Sequence, residues 1–336
     1  MAGVDEPERP DTGFVSGPLL DPRFLISEDP ERLPDTLARP VVAIGNFDGL
    51  HRGHQGVLAR ARDLARRLGR PCAVLTFEPH PANYFAGAPV IFRLTPEDAK
   101  ALVLSRLGLD GMIVLTFGDA LAALDRDAFV DDILVRRLGV AAAVIGYDFH
   151  FGAGRRGTPE FLRDAGERRG FAVEVIGKIA ADRDGDLSAV SSTAVRRALE
   201  DGDAALAARL LGHPYMALGP VIHGQKLGRT LGFPTANIRL DPSCRLRHGI
   251  YAVRVRGDGL DHGGVASFGR RPTFDNGAPL LEVVLFDFAG NLYGRTIEVD
   301  FVAWIRGEEK FDGAEALVTR MHEDARQARA LLADVI

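Results

Sequence analysis

Two different patterns of apolar and polar residues divide the chain into halves. In the first half, mainly apolar runs lie at 41–44, 73–77, 111–117 and 140–145, and a further strand is predicted at 171–176. Between them, apolar residues recur at helical spacing, which predicts helices at 57–68, about 95–107, 126–138 and 158–169. Strands that are apolar throughout, alternating with such helices, predict a parallel sheet covered on both faces. We therefore predict an α/β domain and place it at 19–202.

The pattern changes past residue 214. Residues 251–256 and 296–302, with parts of 281–288, alternate between apolar and polar and are separated by glycine and proline turns. Short alternating strands of this kind predict an antiparallel β-barrel. Apolar positions between 314 and 328 predict a closing helix that packs against it. The alanine-rich segment 202–211 predicts a linker helix, so the second domain is placed at 203–336.

Composition adds limits on partners and location. The chain has 336 residues, 46% of them hydrophobic, and a net charge of −5. With no basic excess, we expect small-molecule ligands, and no nucleic acid, membrane or obligate protein partner. Cys72 and Cys244, far apart in the sequence, indicate a reducing cytoplasm rather than a disulfide framework. Residues 1–18, rich in Pro, Asp, Glu and Arg, are expected to be a disordered tail.

The segment 45–55 follows the first apolar run and leads into the first helix. A helix that opens after a glycine turn directs unpaired N–H groups and a positive dipole end toward a bound phosphate. His51 and His54 lie at this mouth, where imidazoles can donate hydrogen bonds to a phosphoryl group. Surface histidines are the alternative for a bare His-x-x-His. Zinc is set aside, because no Cys, Asp or Glu at ligand spacing completes a site. Candidate binding residues in the turn are Gly45, Asn46, Phe47, Asp48 and Gly49.

Two later segments follow further strands at the same predicted edge of the sheet. His80 comes after the second apolar run, and Asp148 and Phe149 come after the fourth. The latter precede a literal Gly-x-Gly-x-x-Gly at 152–157, which would suggest a dinucleotide fold. We interpret it as a basic loop over phosphates, because five residues separate it from the strand and two arginines fill its turn. Phe149 and Phe151 either stack on a flat ring or simply pack.

A third segment places hydroxyl residues before an arginine at a helix start. Ser191, Ser192 and Thr193 offer a helix cap, and Arg196 follows one turn later. Together they can hold the leaving phosphates of a nucleotide. A capped helix with a surface arginine is the ordinary alternative.

The second half has two segments with candidate chemistry. The glycine loop 224–237 carries Lys226 and Arg229 for phosphates, while Thr235 and Asn237, two apart on one strand, can hold Mg²⁺. A Gly/Pro hairpin is an equally good interpretation of this loop. Glu282 shares a strand face with Val284 and Phe286. A lone acid there is either a strand-end residue in water or a base with a raised pKa.

These motifs together resemble a known family. Gly-x-Phe-Asp-Gly-x-His-x-Gly-His at 45–54 is similar to the nucleotidylyltransferase superfamily, and Ser-Ser-Thr-x-x-Arg at 191–196 to the other half of its ATP site. Matches at 228–237, 249–252, 271–274, 281–283, 292–294 and 309–311 resemble the riboflavin kinase domain. The whole resembles the bacterial bifunctional riboflavin kinase/FMN adenylyltransferases (FAD synthetases). Val284 departs from the pattern, where a histidine is expected after Glu-Val.

The resemblance implies a Rossmann-like nucleotidylyltransferase domain followed by a riboflavin kinase barrel. The expected ligands are riboflavin, ATP and Mg²⁺, with FMN and FAD as products. Glu282 is then the base, Thr235 and Asn237 hold the metal and γ-phosphate, and His51, His54 and Arg196 neutralise phosphate charge. Further nucleotide- or flavin-binding residues implied in the barrel are Gly228, Arg229, Gly232, Phe233 and Pro234. A nucleotidylyltransferase for another substrate, or a non-catalytic flavin-binding protein, are the alternatives.

Overall fold

The first half of the chain forms a fully parallel six-stranded sheet. The computed structural model describes residues 19–177, 190–224, 233–257, 259–270 and 279–333. Along the sheet the strands follow the order β1-β4-β3-β2-β5-β6, and every neighbouring pair is parallel. The strands are β1 (Leu25–Glu28), β2 (Val41–Ile44), β3 (Cys72–Glu78), β4 (Gly111–Thr116), β5 (Ala142–Gly146) and β6 (Ala172–Ile176).

Helices cover both faces of this sheet. Val41 and Ala43 of β2 pack on the side of Leu58 and Leu102, whereas Val42 faces the opposite core. This alternation confirms the predicted double-sided α/β layer. The helices are α1 (Arg52–Leu68), α2 (Pro81–Ala86), α3 (Glu97–Arg106), α4 (Asp119–Ala123), α5 (Arg126–Ala128), which continues as a π-helix over Phe129–Arg137, and α6 (Pro159–Arg169).

Some elements differ from the sequence prediction. β1 was not predicted, because it is a four-residue edge strand whose side chains alternate between exposed and half-buried. The segment 95–98 predicts a helix start with Pro96 as the first helical residue, but the helix begins at Glu97. The ψ of Pro96, 164°, is extended, and its carbonyl accepts from Lys100 N at 2.8 Å, so Pro96 is the N-cap of α3. β5 begins at Ala142 rather than at residue 140.

The second half forms a nearly closed antiparallel barrel, as predicted. Its strands follow the order β7-β12-β9-β10-β11-β8, and Ile222 N donates to Asn237 O at 2.8 Å, bridging the two ends. The strands are β7 (Tyr215–Pro220), β8 (Ala236–Arg239), β9 (Gly249–Gly257), β10 (Leu260–Arg270), β11 (Pro279–Leu285) and β12 (Thr296–Arg306).

The predicted closing helix packs on the outer face of this barrel. We name the three remaining helices α7 (Ser192–Glu200), α8 (Ala204–Leu211) and α9 (Ala314–Ala333). Ala328 of α9 contacts a cluster with Ala252 and Phe286, and Arg306 holds Asp324 through bonds of 2.8 and 2.7 Å. No helix in the described ranges is long and apolar enough to span a membrane.

Helices α7 and α8 lie between the sheet and the barrel. Val195 and Leu199 of α7 belong to the same core cluster as Tyr215 and Phe301 of the barrel. A further link is bidentate: Arg106 of α3 donates to the fully buried Glu298 of β12 at 2.6 and 2.5 Å. The domain boundary predicted at residue 202 falls between these two shared helices and stays a prediction.

Candidate active sites

The first candidate site lies where the strand order reverses. β3 lies on one side of β2 and β5 on the other, so the connections after β2 and after β4 run to opposite sides of the sheet. Open α/β sheets bind ligands in the crevice at the carboxyl ends of the strands at such a point. After Ile44 the chain makes a tight turn in which Phe47, Gly49 and Leu50 have positive φ. A Cβ on Gly49 would lie 2.7 Å from the Leu94 side chain, so this close approach requires glycine.

His51 and His54 meet at the start of α1. His51 is the N-cap, and its Nδ1 accepts from His54 N at 3.2 Å. Their rings stack with centroids 3.6 Å apart, and the edge of Phe47 lies against His54. Burial lowers the pKa of His51 to about 4 and that of His54 well below its usual value. Both imidazoles are therefore neutral near pH 7 and can each donate one N–H.

One ring nitrogen of this pair has no partner. Nδ1 of His54 is buried without a hydrogen-bond partner among the residues that the structure describes. Buried polar atoms are normally satisfied, so this nitrogen is an exception within the described structure.

Asp48 ties three distant segments together behind the histidines. Its carboxylate accepts from the backbone N–H groups of Leu94 and Thr95 at 2.9 and 3.0 Å, and from Nη2 of Arg196. Arg196 also donates from Nε to Phe92 O at 2.7 Å. Among the residues that the structure describes, three of the five N–H groups of the guanidinium have no partner and could bond to a phosphate. We call His51, His54, Asp48 and Arg196 the histidine site.

The hydroxyl residues before Arg196 are placed as predicted, but two of them are occupied locally. Ser191 caps α7 by accepting from Ala194 N at 3.2 Å, and Ser192 Oγ donates to Asp48 O at 2.8 Å. Thr193 is exposed. The segment therefore contributes mainly to the shape of the crevice, and within the described part of the chain Thr193 has the one hydroxyl of these three without a hydrogen bond.

His80 lies at the end of the neighbouring strand. It caps α2 by accepting from Ala82 N at 3.2 Å, and burial lowers its pKa. This placement brings a third neutral imidazole to the same edge of the sheet.

The loop after β5 brings Asp148 to this edge, where it is exposed. The ring centroids of Phe149 and Phe151 are 5.5 Å apart, and the two rings stack. Phe151 is buried in the core, so of the two alternatives packing applies to Phe151. The Gly-x-Gly-x-x-Gly segment does not join a strand directly to a helix: it is a loop closed by a bridge between Phe151 and Gly157.

Sequence reasoning missed a buried charged group beneath the histidine site. Lys100 of α3 donates to Thr76 Oγ1 and Glu78 Oε1, both at 3.1 Å. All six residues from Ala99 to Leu104 are buried, so the helix gives no amphipathic signal that would single out the lysine. It also missed the backbone of Leu94 and Thr95, which carries no motif of its own.

The second candidate site lies on the outer face of the barrel. Asn237 of β8 is directly opposite Glu282 of β11. The residues beside Glu282, Leu281 and Val283, point into the barrel core, so the pair shares the outer face. Thr235 lies two residues before Asn237, whose Nδ2 is 3.5 Å from Thr235 Oγ1. We call Thr235, Asn237 and Glu282 the barrel site.

A groove of about 660 Å³ adjoins the barrel site. Phe233, Pro234 and the end of β11 line one part of it, and α9 lines the other. Val284, two residues after Glu282 on the same face, is part of this lining. Gly228, Arg229 and Gly232, predicted for the phosphate loop, lie outside the described residues, as do Lys226 and the 271–274 match.

The oxygen atoms of the barrel site suit magnesium. No group of three His, Cys, Asp or Glu side chains in the described ranges could hold a metal ion. Mg²⁺ in phosphoryl-transfer sites, however, is held by one or two protein oxygens together with substrate phosphates and water. The Thr235 hydroxyl and the Asn237 carbonyl are two such oxygens, so the residues present fit this ion. Thr235 was predicted to lie on the same strand as Asn237, but it immediately precedes β8, which begins at Ala236.

Comparisons with known proteins agree along most of the chain. A family model described as FAD synthetase matches residues 33–194, and one described as riboflavin kinase matches 211–332. A bifunctional riboflavin kinase/FMN adenylyltransferase of Pseudomonas fluorescens is 45% identical over 87% of this chain and 93% of its own length. A protein of the same name from Haemophilus influenzae is 44% identical over 86% of this chain and 93% of its own length.

A solved structure also covers nearly the whole molecule. It is a Streptococcus pneumoniae protein named as a macrolide-efflux protein, 29% identical, with a TM-score of 0.76 over 90% of this chain and 98% of that one. Because relatives more than 40% identical match over most of both lengths, the chain belongs to the family of bifunctional riboflavin kinase/FMN adenylyltransferases.

Proposed function

We propose that the barrel phosphorylates riboflavin with ATP to give FMN and ADP, and that the α/β domain joins FMN to the AMP part of ATP, giving FAD and diphosphate. The observation that carries the proposal is the presence of two separate polar sites in one chain. The histidine site lies at the switch point of the sheet, and the barrel site lies beside the groove. Both proposed reactions act on small molecules, and we place them in the cytoplasm.

In the α/β domain, an oxygen of the FMN phosphate attacks the α-phosphorus of ATP, and the bond to the β-phosphate oxygen breaks. His51 and His54 donate N–H groups to the phosphates as charge moves onto the leaving diphosphate. Arg196 contributes the N–H groups that Asp48 and Phe92 do not use. Because no covalent intermediate is needed, the rate gain comes from positioning and electrostatic stabilisation.

In the barrel, Glu282 accepts the proton of the ribityl 5′-hydroxyl as its oxygen attacks the γ-phosphorus and ADP leaves. Thr235 and Asn237 are the residues that would hold Mg²⁺, which neutralises phosphate charge when bound. Phe233 and Pro234 flank the groove, where their apolar surfaces suit the flavin ring. Gly228, Arg229 and Gly232 are proposed for the ATP phosphates.

The remaining predicted residues are assigned to substrate binding at the histidine site. The turn Gly45, Asn46, Phe47 and Asp48, closed by Gly49, presents backbone groups to the nucleotide. His80, Asp148 and Phe149 line the same edge of the sheet. Ser191, Ser192 and Thr193 complete the crevice beside Arg196.

Product analysis tests this function directly. The protein is incubated with riboflavin, ATP and Mg²⁺, and the flavins are separated over time. FMN should appear first and FAD after it, and supplying FMN should give FAD without the first step. Omitting Mg²⁺ should stop both. Riboflavin recovered unchanged would identify a flavin-binding protein, and a different adenylylated product would identify another nucleotidylyltransferase.

A further inference from the structure

Lys100 is a buried cation that the proposed mechanism does not use. Lys100 is 3% exposed. It lies on α3, and its ammonium group contacts Thr76 and Glu78 at the end of β3. Desolvating an ammonium group is costly unless hydrogen bonds and opposite charge compensate. The groups that compensate the buried charge of Lys100 therefore indicate what the lysine does in the fold.

Lys100, Thr76 and Asn46 form a chain of hydrogen bonds in which the donor and acceptor of each bond are determined by chemistry. Thr76 Oγ1 donates its single hydrogen to Asn46 O at 3.3 Å, because a carbonyl can only accept. The lone pairs of that hydroxyl then accept from Lys100 Nζ at 3.1 Å. A chain of two bonds thus runs from the ammonium group to the backbone of the turn that carries the histidines.

Lys100 lies among other charged groups. Lys100 and Arg93 both donate to Oε1 of Glu78, and Asp48 and Glu97 also interact electrostatically with Lys100. The charge of Lys100 is close enough to act on the histidines. Burial is the main cause that lowers the pKa of His54 and of His80, and the charge of Lys100 adds to it in both.

We propose that Lys100 and Thr76 are positioning residues for the nucleotidyl-transfer step. Through Thr76, Lys100 fixes the carbonyl of Asn46 and so the turn that presents His51 and His54. It also supplies a fixed positive charge beneath the crevice, where diphosphate must leave. This inference rests on the proposed function of the histidine site, and it concerns residues that do not themselves touch the reacting atoms.

A conservative pair of variants tests the hydrogen-bonded chain. Thr76→Val keeps the shape of the side chain but removes the hydroxyl, and Thr76→Ser restores it. Thr116→Val is the matched control, because it removes a hydroxyl from the end of the adjacent strand that bonds only to Asp29 in the described structure. Lys100→Met removes the charge at similar length.

The readout is FAD formation from supplied FMN and ATP, with FMN formation from riboflavin measured on the same preparation. We expect Thr76→Val to lower kcat for FAD about 10²-fold with little change in KM, because small misplacements of reacting groups have effects of this size. The kcat of Thr76→Ser for FAD formation should be within about threefold of the wild-type value. The kcat of Thr116→Val should lie in the same range. Lys100→Met should lose at least as much as Thr76→Val.

Each outcome decides one question. If the wild-type chain forms no FAD, the proposed function of the site fails. If wild type forms FAD and folded Thr76→Val does so at a similar rate, only the positioning role fails. Equal losses in Thr76→Val and Thr116→Val would also overturn it. Loss of folding in both Thr76→Val and Lys100→Met, seen by thermal unfolding, would assign the pair to sheet stability instead.

Discussion

The histidine site draws its side chains from segments far apart in the sequence, whereas the barrel site places two side chains opposite each other on neighbouring strands. In the histidine site, Asp48 is 5% exposed and holds backbone groups 46 and 47 residues away, together with Arg196. In the barrel site, Asn237 and Glu282 meet because β8 and β11 are in register. The first site is fixed by a buried polar network, and the second by strand pairing.

This difference predicts how each site fails. A buried network that loses one member leaves other polar groups without partners, so effects spread to residues that touch no substrate. A site fixed by register depends on pairing, because a shift of one residue would turn Glu282 into the barrel core. Single substitutions in the barrel site should therefore act on chemistry more than on folding.

The largest expected effect separates the two sites completely. Replacing both His51 and His54 with Ala should lower FAD formation by at least about 10³-fold, because each electrostatic donor typically contributes about 10²–10³ in rate. FMN formation on the same chain serves as the control and should persist. Measuring both products from one preparation checks this, and near wild-type FAD formation would show that the histidines are not the site.

The second largest effect is expected from a substitution in the barrel site. Glu282→Gln should lower FMN formation by about 10²–10⁴-fold, because Gln keeps the shape and loses the proton acceptor. FAD formation from supplied FMN should be unchanged. A loose phosphoryl-transfer transition state demands little of its base. A loss of tenfold or less, with unchanged riboflavin affinity, would therefore reject Glu282 as the base, and loss of both activities would point to a damaged fold.

A third test asks how independent the barrel is. A fragment starting at residue 203 should fold and keep kinase activity, because most of the barrel's core cluster and its closing helix lie after that residue. A fragment starting at 190 should be more stable by about 4 kcal/mol, because it keeps the fully buried Val195 and Leu199, each worth roughly 2 kcal/mol. Urea unfolding of both fragments measures this difference.

The intact chain carrying Leu199→Ala is the matched control for the fragments, since it removes part of the same contact without cutting the chain. An insoluble or inactive fragment from 203, with the intact chain active, would contradict the predicted boundary and indicate a core shared with the α/β domain.

The smallest expected effect is the contribution of His51 to the pH dependence of stability. His51 is 8% exposed, and its pKa is about 4 in the folded protein against 6.5 for an ordinary histidine. Between these values only the unfolded chain binds the proton, so stability falls as the pH is lowered from 6.5 toward 4. The loss should reach about 3 kcal/mol for this residue.

His51→Asn isolates that contribution, because asparagine is a good N-cap and does not titrate. His80 contributes to both proteins, whereas the pKa of His54 depends in part on His51. The difference between the two stability curves therefore measures His51 together with its effect on His54. Thermal or urea unfolding at pH 7 and pH 4.5 should show a shallower loss in the variant. Parallel curves would mean that His51 is protonated in the folded state.

Local patterns predicted the parts of these sites that lie within one segment. The turn 45–54, the cap at Ser191 and the alternation around Glu282 all follow from the order of neighbouring residues. The polar network behind the histidines does not. Nothing near Leu94 in the sequence shows that its N–H will meet the carboxylate of Asp48, because that contact depends on how a loop crosses the sheet edge.

The same limit explains the other omissions. β1 is too short and too exposed to give an apolar run. Lys100 lies in a helix segment that is buried all round, so its position is not marked by an exposed face. The pairing of Asn237 with Glu282 required the register of two strands more than forty residues apart, which only the folded barrel supplies.

Helix α7 presents consecutive residues to the two halves of the molecule. Val195 is buried in the barrel core, and Arg196, about 100° further round the helix, reaches Asp48 in the α/β domain. A hinge at this helix would have to lift Val195 out of the core or withdraw Arg196 from Asp48. Rigid-body rotation of one half against the other is therefore costly at this helix.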